Sequence, residues 1–285
     1  MRFPHPIRAA LLAAALAAAP LPVLATAETQ PSVFDPQSAV AYSQAAVGRM
    51  VGDYSFRDIK GETVRLTDFR GEPLVINLVF TACVQSCPLI VQTLHHAVDV
   101  AQEALGAETF SVVTIGFDTA HDTPERMHDY ASDQGVALPN WHFLSGKEAD
   151  VRALLDELGF LYFPSPRGFD HLAQTSVLDA EGRVHQQVYG ASFEPPALVE
   201  PLKGLMFGQA GGLVDIAALI ERVRLFCTFY DPARDRYGFD YSFFFALVIG
   251  GLSVVGLGGL MVRAWLRLLR AERGRPARTQ APGAR

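Results

Sequence analysis

The chain has 285 residues, 49% of them hydrophobic, and a mean hydropathy of +0.17, which is high for a purely water-soluble domain. Three cysteines are too few for a disulfide scaffold, and the odd count leaves at least one thiol without a partner within the chain. The net charge of −6 conceals an asymmetry, because residues 28–240 carry 15 basic and 29 acidic residues, whereas residues 263–285 carry seven arginines and one glutamate. A domain this acidic repels phosphate backbones, which excludes nucleic acid as a partner.

The N-terminus has the pattern of a secretory signal peptide over residues 1–27. Arg2 and Arg8 precede an apolar stretch over 9–23, and Ala25-Thr-Ala27 is a small-x-small cleavage site. An uncleaved anchor is the alternative, but the alanine-rich stretch is interrupted by prolines and is weak for spanning a membrane.

A second apolar segment, over residues 241–262, has the length of a transmembrane helix. It has no charge between positions 243 and 262, and 20 helical residues span about 30 Å, the thickness of a bilayer core. The arginines of the basic tail over 263–285 follow directly. Because positive residues stay on the cytoplasmic side, the tail is predicted inside and the acidic domain outside. A buried core helix is the alternative interpretation.

The sequence between these ends divides at about residue 50. Residues 28–50 contain Pro31 and Pro36 and few large apolar side chains, which predicts a linker. Residues 51–240 alternate apolar segments with turn residues, which predicts one extracytoplasmic domain. The predicted elements are a hairpin over 56–66, a strand over 74–80, a helix over 88–105, a strand over 110–117, helices over 124–132 and 147–158, a hairpin over 175–188, and helices over 196–206 and 214–226.

This order of elements predicts an α/β fold that is thioredoxin-like, with a mixed sheet flanked by helices, and one C-terminal transmembrane helix. The strand over 74–80 is apolar on both faces and is therefore predicted to be central. Thr123 is predicted to cap the next helix, with Pro124 at its first position. Residues 160–170 are predicted to be a long loop.

Two cysteines follow the predicted central strand, in the segment Cys83-Val-Gln-Ser-Cys87-Pro88. Ligands collect at the carboxyl ends of strands in α/β sheets, and the positive end of a helix favours thiolates and lowers thiol pKa values. Such a pair can form a disulfide, relay electrons or hold a soft metal. A structural zinc site needs four protein ligands, and the chain has no second cysteine pair. Two buried core cysteines are the alternative.

Four stretches follow one another along the chain: Cys83-x-x-x-Cys87-Pro88, Asp118-Thr-Ala-His-Asp122-Thr123-Pro124, Trp141-His-Phe-Leu-Ser-Gly146, and His171 upstream of Asp179-x-x-Gly182. Together they resemble the Sco/SenC family of copper-handling proteins of respiratory membranes, over about residues 50–226. The chain departs from the family's usual residues at Thr119 and His121 in the second stretch and at Leu172 after the histidine.

The resemblance implies a copper site made of Cys83, Cys87 and His171, holding Cu(I), Cu(II) or both. It implies a metallochaperone that delivers copper to, or prepares, the copper centre of cytochrome c oxidase. The implied partners are a respiratory oxidase subunit or another copper acceptor, and an upstream copper donor. With the two terminal segments, the resemblance places the chain in a bacterial inner membrane with its domain in the periplasm.

Other residues are weaker candidates. His121 is predicted to be either an alternative ligand or a surface residue, and Asp118 either orients the site or forms a turn. His95 and His96 lie about two helical turns beyond Cys87, roughly 12 Å away, which is too far to share one metal ion. Cys227 follows an apolar helix and is predicted to be a buried small hydrophobe or an auxiliary thiol.

Two further functions compete with copper transfer. In a thiol–disulfide oxidoreductase, Cys83 and Cys87 would be a redox dithiol that reduces cysteines of an apo-oxidase or apo-cytochrome. Dedicated dithiol reductases mostly have two residues between their cysteines rather than three, and they need no distant histidine. A thiol peroxidase would need threonine three residues before its reactive cysteine, and position 80 is phenylalanine.

Overall fold

The computed structural model describes residues 34–84, 86–209, 228–239 and 242–273. The predicted signal peptide, the predicted helix over 214–226 and Cys227 lie outside the described residues. The elements are α1 Pro36–Gln44, β1 Ser55–Asp58, β2 Thr63–Arg65, β3 Leu74–Val79, α2 Ser86–Leu105, β4 Ser111–Gly116, α3 Pro124–Asp133, β5 Trp141–Gly146, α4 Glu148–Glu157, β6 Tyr162–Ser165, β7 Gly168–His171, β8 Gln174–Leu178, β9 Val184–Tyr189, α5 Pro196–Gln209, β10 Thr228–Asp231, β11 Arg236–Phe239 and α6 Ser242–Arg273.

A seven-stranded mixed sheet with the order β2-β1-β5-β4-β3-β8-β9 forms the centre of the domain. Strands β3, β4 and β5 are parallel, and the remaining pairs of neighbours are antiparallel. Every residue of β3 is buried, which confirms the prediction of a central strand. The predicted hairpin over 56–66 is also confirmed, with Gly61 at a φ of +81° in its turn.

Helices α2 and α3 begin within two residues of their predicted starts. Helix α2 begins at Ser86, so Cys87 lies in its first turn and Pro88 follows where no backbone donor is needed. Helix α3 is capped by the Thr123 hydroxyl, which accepts a hydrogen bond from the Arg126 amide at 3.4 Å. The ends of β3 and β4 therefore lead directly into helix N-termini at one edge of the sheet.

The predicted linker over 28–50 is wrong for the part that the structure describes. Helix α1 packs on the domain, and the Ser43 hydroxyl accepts a hydrogen bond from Tyr189 at 2.9 Å. The Gly48 amide donates to the Val184 carbonyl at 2.7 Å, and Ala39 and Ala46 are buried. Small side chains can bury against the sheet without producing the apolar periodicity that predicts a core helix.

The predicted loop over 160–170 is instead a β-hairpin made of β6 and β7, and it ends at His171. Pro164 and Pro166 suggested irregular structure, but an isolated two-stranded hairpin has an unpaired edge on each strand and tolerates proline there. Strand β5 and the hairpin of β10 and β11 were also not predicted. The latter packs against α2, where the Asp235 carboxylate lies 2.9 Å from His96.

Helix α6 contains a stretch that is long and apolar enough to cross a membrane. This stretch covers Phe245–Arg267. Its mean hydropathy is 2.2, and none of its most hydrophobic part is buried. The exposure of its large apolar side chains distinguishes it from the core helices of the domain. The one apolar C-terminal helix that the sequence predicts is therefore present.

Candidate functional site

The two cysteines lie together where β3 ends and α2 begins. The Cys83 amide donates to the Phe80 carbonyl at 3.0 Å, which closes a turn directly after the strand. The Cys87 amide in turn donates to the Cys83 sulfur at 3.2 Å, and the Ser86 hydroxyl lies 3.3 Å from that sulfur. The thiols are not joined to each other by a disulfide. Cys83 is partly exposed, whereas Cys87 is fully buried, so the pair has one accessible and one inner sulfur.

The local environment keeps the inner thiol protonated. The hydrogen bond with Cys83, followed by burial, raises the pKa of Cys87 above its ordinary value. The prediction of a lowered pKa is therefore wrong for Cys87, because these two effects outweigh the hydrogen bonds with the Phe80 backbone and Ser86 that lower its pKa. A metal ion that binds Cys87 must displace its proton.

His171 lies at the end of β7, surrounded by aromatic rings. Its ring centre is 6.1 Å from that of Phe80, 5.6 Å from that of Phe117 and 5.3 Å from that of Phe160. Its Nδ1 lies 3.0 Å from the Leu172 carbonyl oxygen, which can only accept, so Nδ1 carries the proton. Burial lowers the pKa of His171, so at neutral pH the imidazole is uncharged and Nε2 holds a lone pair, as a metal ligand requires.

One cleft contains both Cys83 and His171. Its volume is about 470 Å³, and Phe80, Val84 and Phe169 also line it. Among the described residues, no group of three His, Cys, Asp or Glu side chains is spaced to hold a metal ion. The structure thus brings Cys83 and His171 to one cleft, with Cys87 buried next to Cys83, without assembling the three into a coordination site.

The other candidate histidines lie apart from this pair. The His121 side chain is 72% exposed and contacts the Asp118 carboxylate at 2.8 Å, so the structure favours the surface interpretation of His121. The Asp118 carbonyl accepts hydrogen bonds from the His121 and Asp122 amides at 2.8 Å, which agrees with the turn interpretation of Asp118. His95 packs on Trp141 with ring centres 5.9 Å apart. The His128 side chain is 59% exposed and contacts Asp129 at 3.4 Å.

Asp122 is a site residue whose role the sequence did not reveal. Its carboxylate accepts hydrogen bonds from the Thr81 amide at 2.9 Å, the Thr81 hydroxyl at 2.8 Å and the Asp118 amide at 2.9 Å. It therefore ties the loop after β3, which carries Cys83, to the loop after β4. Burial raises the pKa of Asp122, and these hydrogen bonds oppose the shift. The one feature of the sequence that could have pointed to this role is the position of Asp122 directly before Thr123, the residue that caps α3.

Comparison with known proteins agrees with a dithiol on a mixed α/β sheet. The family model SCO1/SenC matches residues 43–207. A SCO1 protein homolog of Bacillus subtilis (strain 168) is 26% identical over 151 residues, which are 51% of this chain and 76% of the relative. The chain belongs to the SCO1/SenC family.

Solved structures show the same fold. One from Aquifex aeolicus VF5 has 26% identity and a TM-score of 0.51, covering 55% of this chain and 92% of the other. The thioredoxin-like fold predicted from the order of elements is confirmed. Copper-bound structures of Sco homologues exist, and one is ScoI of Bradyrhizobium japonicum, with 22% identity, a TM-score of 0.46, and coverage of 55% of this chain and 99% of the other.

Proposed function

We propose that Cys83, Cys87 and His171 bind one copper ion as cargo and that the chain is a membrane-anchored copper metallochaperone. The observation that carries this proposal is the position of His171, whose neutral imidazole lines the same cleft as Cys83. The hairpin of β6 and β7 supplies this histidine 84 positions after Cys87 along the chain. A dithiol that only exchanges electrons has no need of such a group.

The donor set suits copper. Two soft thiolates and one imidazole favour Cu(I), and imidazole also suits Cu(II). A structural zinc ion takes four protein ligands, and the three proposed here leave a zinc ion one short. A three-coordinate copper ion at a partly exposed sulfur remains open to attack by the ligands of a recipient, which is what transfer requires.

Copper binding requires a local rearrangement. Cys83 and His171 line the cleft and Cys87 is buried behind Cys83, but the three side chains are not spaced as a metal site, so His171 and the cysteines must approach each other. The hairpin of β6 and β7 is a separate two-stranded sheet and can shift without breaking the hydrogen bonds of the central sheet. Opening of the same hairpin would release copper to an acceptor.

Family membership and the patterns at the two ends of the chain support the proposed recipient and location. We propose that copper is delivered to the copper centre of a respiratory oxidase and arrives from an upstream donor protein. The apolar helix α6 anchors the domain, and the arginines after it keep the tail in the cytoplasm. With a cleaved signal peptide over 1–27, the domain lies in the periplasm at the inner membrane.

An anaerobic Cu(I) titration of the reduced, detergent-solubilised chain against a competing chelator tests the proposal. The parent should bind one equivalent of Cu(I) tightly, and Cys83→Ser/Cys87→Ser should lose this binding. His171→Ala should bind Cu(I) at least tenfold more weakly, because one of the three ligands is missing. A tenfold change corresponds to about 1.4 kcal/mol of binding free energy. His171→Ala should still form the Cys83–Cys87 disulfide. Cys227→Ser is the matched control and should bind like the parent.

The result that contradicts the proposal is equal copper affinity in the parent and in His171→Ala. Tight binding that persists without Cys83 and Cys87 would also contradict it, because the metal would then sit elsewhere. The parent and the variants should be measured with Cu(I) and with Cu(II), because the preference between the two oxidation states depends on how closely His171 approaches the cysteines.

A thiol–disulfide oxidoreductase is the second candidate function. The observation in its favour is the asymmetry of the pair: Cys83 is accessible and receives a hydrogen bond from the Cys87 amide, while Cys87 is buried beside it as a resolving thiol. In this function Cys83 attacks a substrate disulfide, and Cys87 then displaces the reduced substrate as the internal disulfide forms. Rapid reduction of a disulfide substrate together with weak copper binding would favour it.

A further inference from the structure

The hairpin of β10 and β11 lies between the domain and the apolar helix α6 along the chain. The SCO1/SenC family model ends at residue 207, so this hairpin lies beyond the residues that the model matches. Strand β11 contacts α2. It ends at Phe239, and α6 begins at Ser242. A connection this short reaches about 11 Å at most, so whatever holds the hairpin also limits where α6 can lie.

Lys203 of α5 is a buried cation that the hairpin covers. It is 8% exposed, and its Nζ donates a hydrogen bond to the Thr228 carbonyl at 2.8 Å. The same Nζ lies 5.9 Å from the ring centre of Phe229 and 5.8 Å from that of Tyr237. Glu200, also on α5, contributes a carboxylate oxygen at 3.9 Å. A buried cation is costly unless it is paired, so the hairpin supplies groups that Lys203 needs.

Two residues of the hairpin join it to α5 and to α2. Tyr237 is 9% exposed, and its hydroxyl donates a hydrogen bond to Glu200 at 2.8 Å. Asp235, in the turn between the strands, lies 2.9 Å from His96 of α2 and accepts from the Tyr230 hydroxyl at 2.6 Å. Among the described residues, Asp235 is the one non-glycine residue with a positive φ, +51°. This backbone conformation is uncommon outside glycine, and the two contacts of the carboxylate hold the turn in it.

We propose that the hairpin of β10 and β11 is a rigid coupling that fixes the copper-binding domain to its membrane anchor in one orientation. Helix α2, which the hairpin contacts at His96, carries Cys87 in its first turn, so one helix connects the hairpin to the cysteine pair. The inference rests on the proposed function in one respect, namely that α6 spans the membrane. The partner that fits is a membrane-bound acceptor whose copper ligands lie at the height and on the side that the hairpin sets for the cleft.

The distance between two spin labels tests the coupling in the full chain, reconstituted into lipid vesicles. Serine replaces Cys83, Cys87 and Cys227 in every protein, so the result does not depend on copper. The labels are attached at Asp129→Cys in α3 and Phe245→Cys in α6, because both side chains are exposed. Double electron–electron resonance then gives the distribution of distances between the domain and the anchor.

The test variant is His96→Ala/Lys203→Met, which removes two contacts with the hairpin and largely keeps the volume of the buried Lys203 side chain. The matched control is His121→Ala/Arg152→Met, because His121 and Arg152 each contact a carboxylate outside the hairpin. The parent and the control should give one narrow distribution of distances. The test variant should give a distribution at least twice as wide, because the domain can then turn on its anchor.

The inference is overturned if the parent gives a broad distribution, or if the test variant gives one as narrow as that of the parent. Circular dichroism shows whether the test variant is folded. If it is not, His96→Ala alone is compared with His121→Ala, and an equal width in these two variants overturns the inference.

The failure of the proposed anchoring has a separate signature. Extraction of the parent from the vesicles by alkaline carbonate would contradict a membrane-spanning α6 and would overturn the inference with it. Retention of the parent in the vesicles together with a broad distribution would overturn the coupling alone and leave the proposed function intact.

Discussion

Asp122 shows at the scale of one residue how the cysteine loop is held. Its two carboxylate oxygens accept three hydrogen bonds from Thr81 and Asp118, and its side chain is 2% exposed. Gly116 leaves room for this arrangement, since a Cβ there would lie 2.4 Å from the Cβ of Asp122. The loops after β3 and β4 are therefore joined through one buried acidic group rather than through the cysteines.

The raised pKa of Asp122 makes a testable prediction about stability. Because the folded pKa lies above the unfolded value of 3.8, the folded state binds this proton more tightly. The contribution of Asp122 to stability is therefore complete below pH 3.8 and is lost as the pH rises through the folded pKa. Urea unfolding of the parent and Asp122→Asn from pH 3.5 to 7 should show the parent losing stability relative to the variant as the pH rises.

Asp35 provides a control of opposite sign. It caps α1 by accepting from the Ser38 amide at 2.8 Å, and hydrogen bonds from Ser38 lower its pKa. Its stabilising contribution is thus present above pH 3.8 and is lost as the pH falls through the folded pKa. The parent should therefore gain stability relative to Asp35→Asn as the pH rises. An equal slope for both variants would contradict the assignment of a raised pKa to Asp122.

At the scale of elements, the hairpin of β6 and β7 determines where His171 lies. Gly168 begins β7 at a φ of +109°, and a Cβ there would lie 2.6 Å from the Phe80 ring. Phe80 in turn packs edge-on against His171. The hairpin can therefore pass over the end of β3 because residue 168 is a glycine, which has no side chain to clash with Phe80.

Gly168→Ala should displace the hairpin and weaken copper binding. The positive φ costs roughly 1–2 kcal/mol for an alanine, and the contact with Phe80 adds to it. We expect copper affinity to fall at least tenfold by chelator competition, with oxidation of Cys83 and Cys87 retained.

Gly61→Ala is the matched control for this substitution. Gly61 also has a positive φ, +81°, but nothing lies within 4 Å of a Cβ built there. It should lose similar stability in urea and keep the copper affinity of the parent. Equal affinity in both variants would show that the hairpin does not position the ligand.

At the scale of the whole molecule, an acidic domain and an arginine-rich tail lie on either side of one apolar helix. In the proposed topology, the charge asymmetry orients the helix because positive residues resist translocation. Under the proposed function, anchoring by α6 keeps the cleft next to the membrane and restricts the search for a membrane-bound acceptor to the membrane plane.

This orientation can be measured with a membrane-impermeant maleimide on spheroplasts that carry Cys227→Ser. Cys83 should be labelled in intact spheroplasts, because it is the accessible thiol of the pair. A cysteine introduced by Ala284→Cys, in a background without Cys83 and Cys87, should be labelled only after permeabilisation. Labelling of the tail cysteine in intact spheroplasts would contradict the predicted orientation.

Local patterns in the sequence determined the central strand, the cysteine pair at its end, helix α2 and the apolar C-terminal helix. Each depends on residues within about 20 positions, where hydrophobic periodicity and helix geometry act directly. Cys83 and Cys87 meet because they are four residues apart at the start of a helix, so their proximity could be predicted without the fold. Residue types, through resemblance to a family, also pointed to His171 as their partner.

Tertiary structure alone decided what surrounds these thiols. The packing of the β6–β7 hairpin on Phe80 and Phe117, the docking of α1 and the two hydrogen bonds from Thr81 to Asp122 all join segments far apart in the chain. Burial raises the pKa of Asp122 and lowers that of His171, and burial depends on packing that no single segment contains. The sequence determined which residues are proposed as metal ligands, and the fold decided how close they lie and which protons they hold.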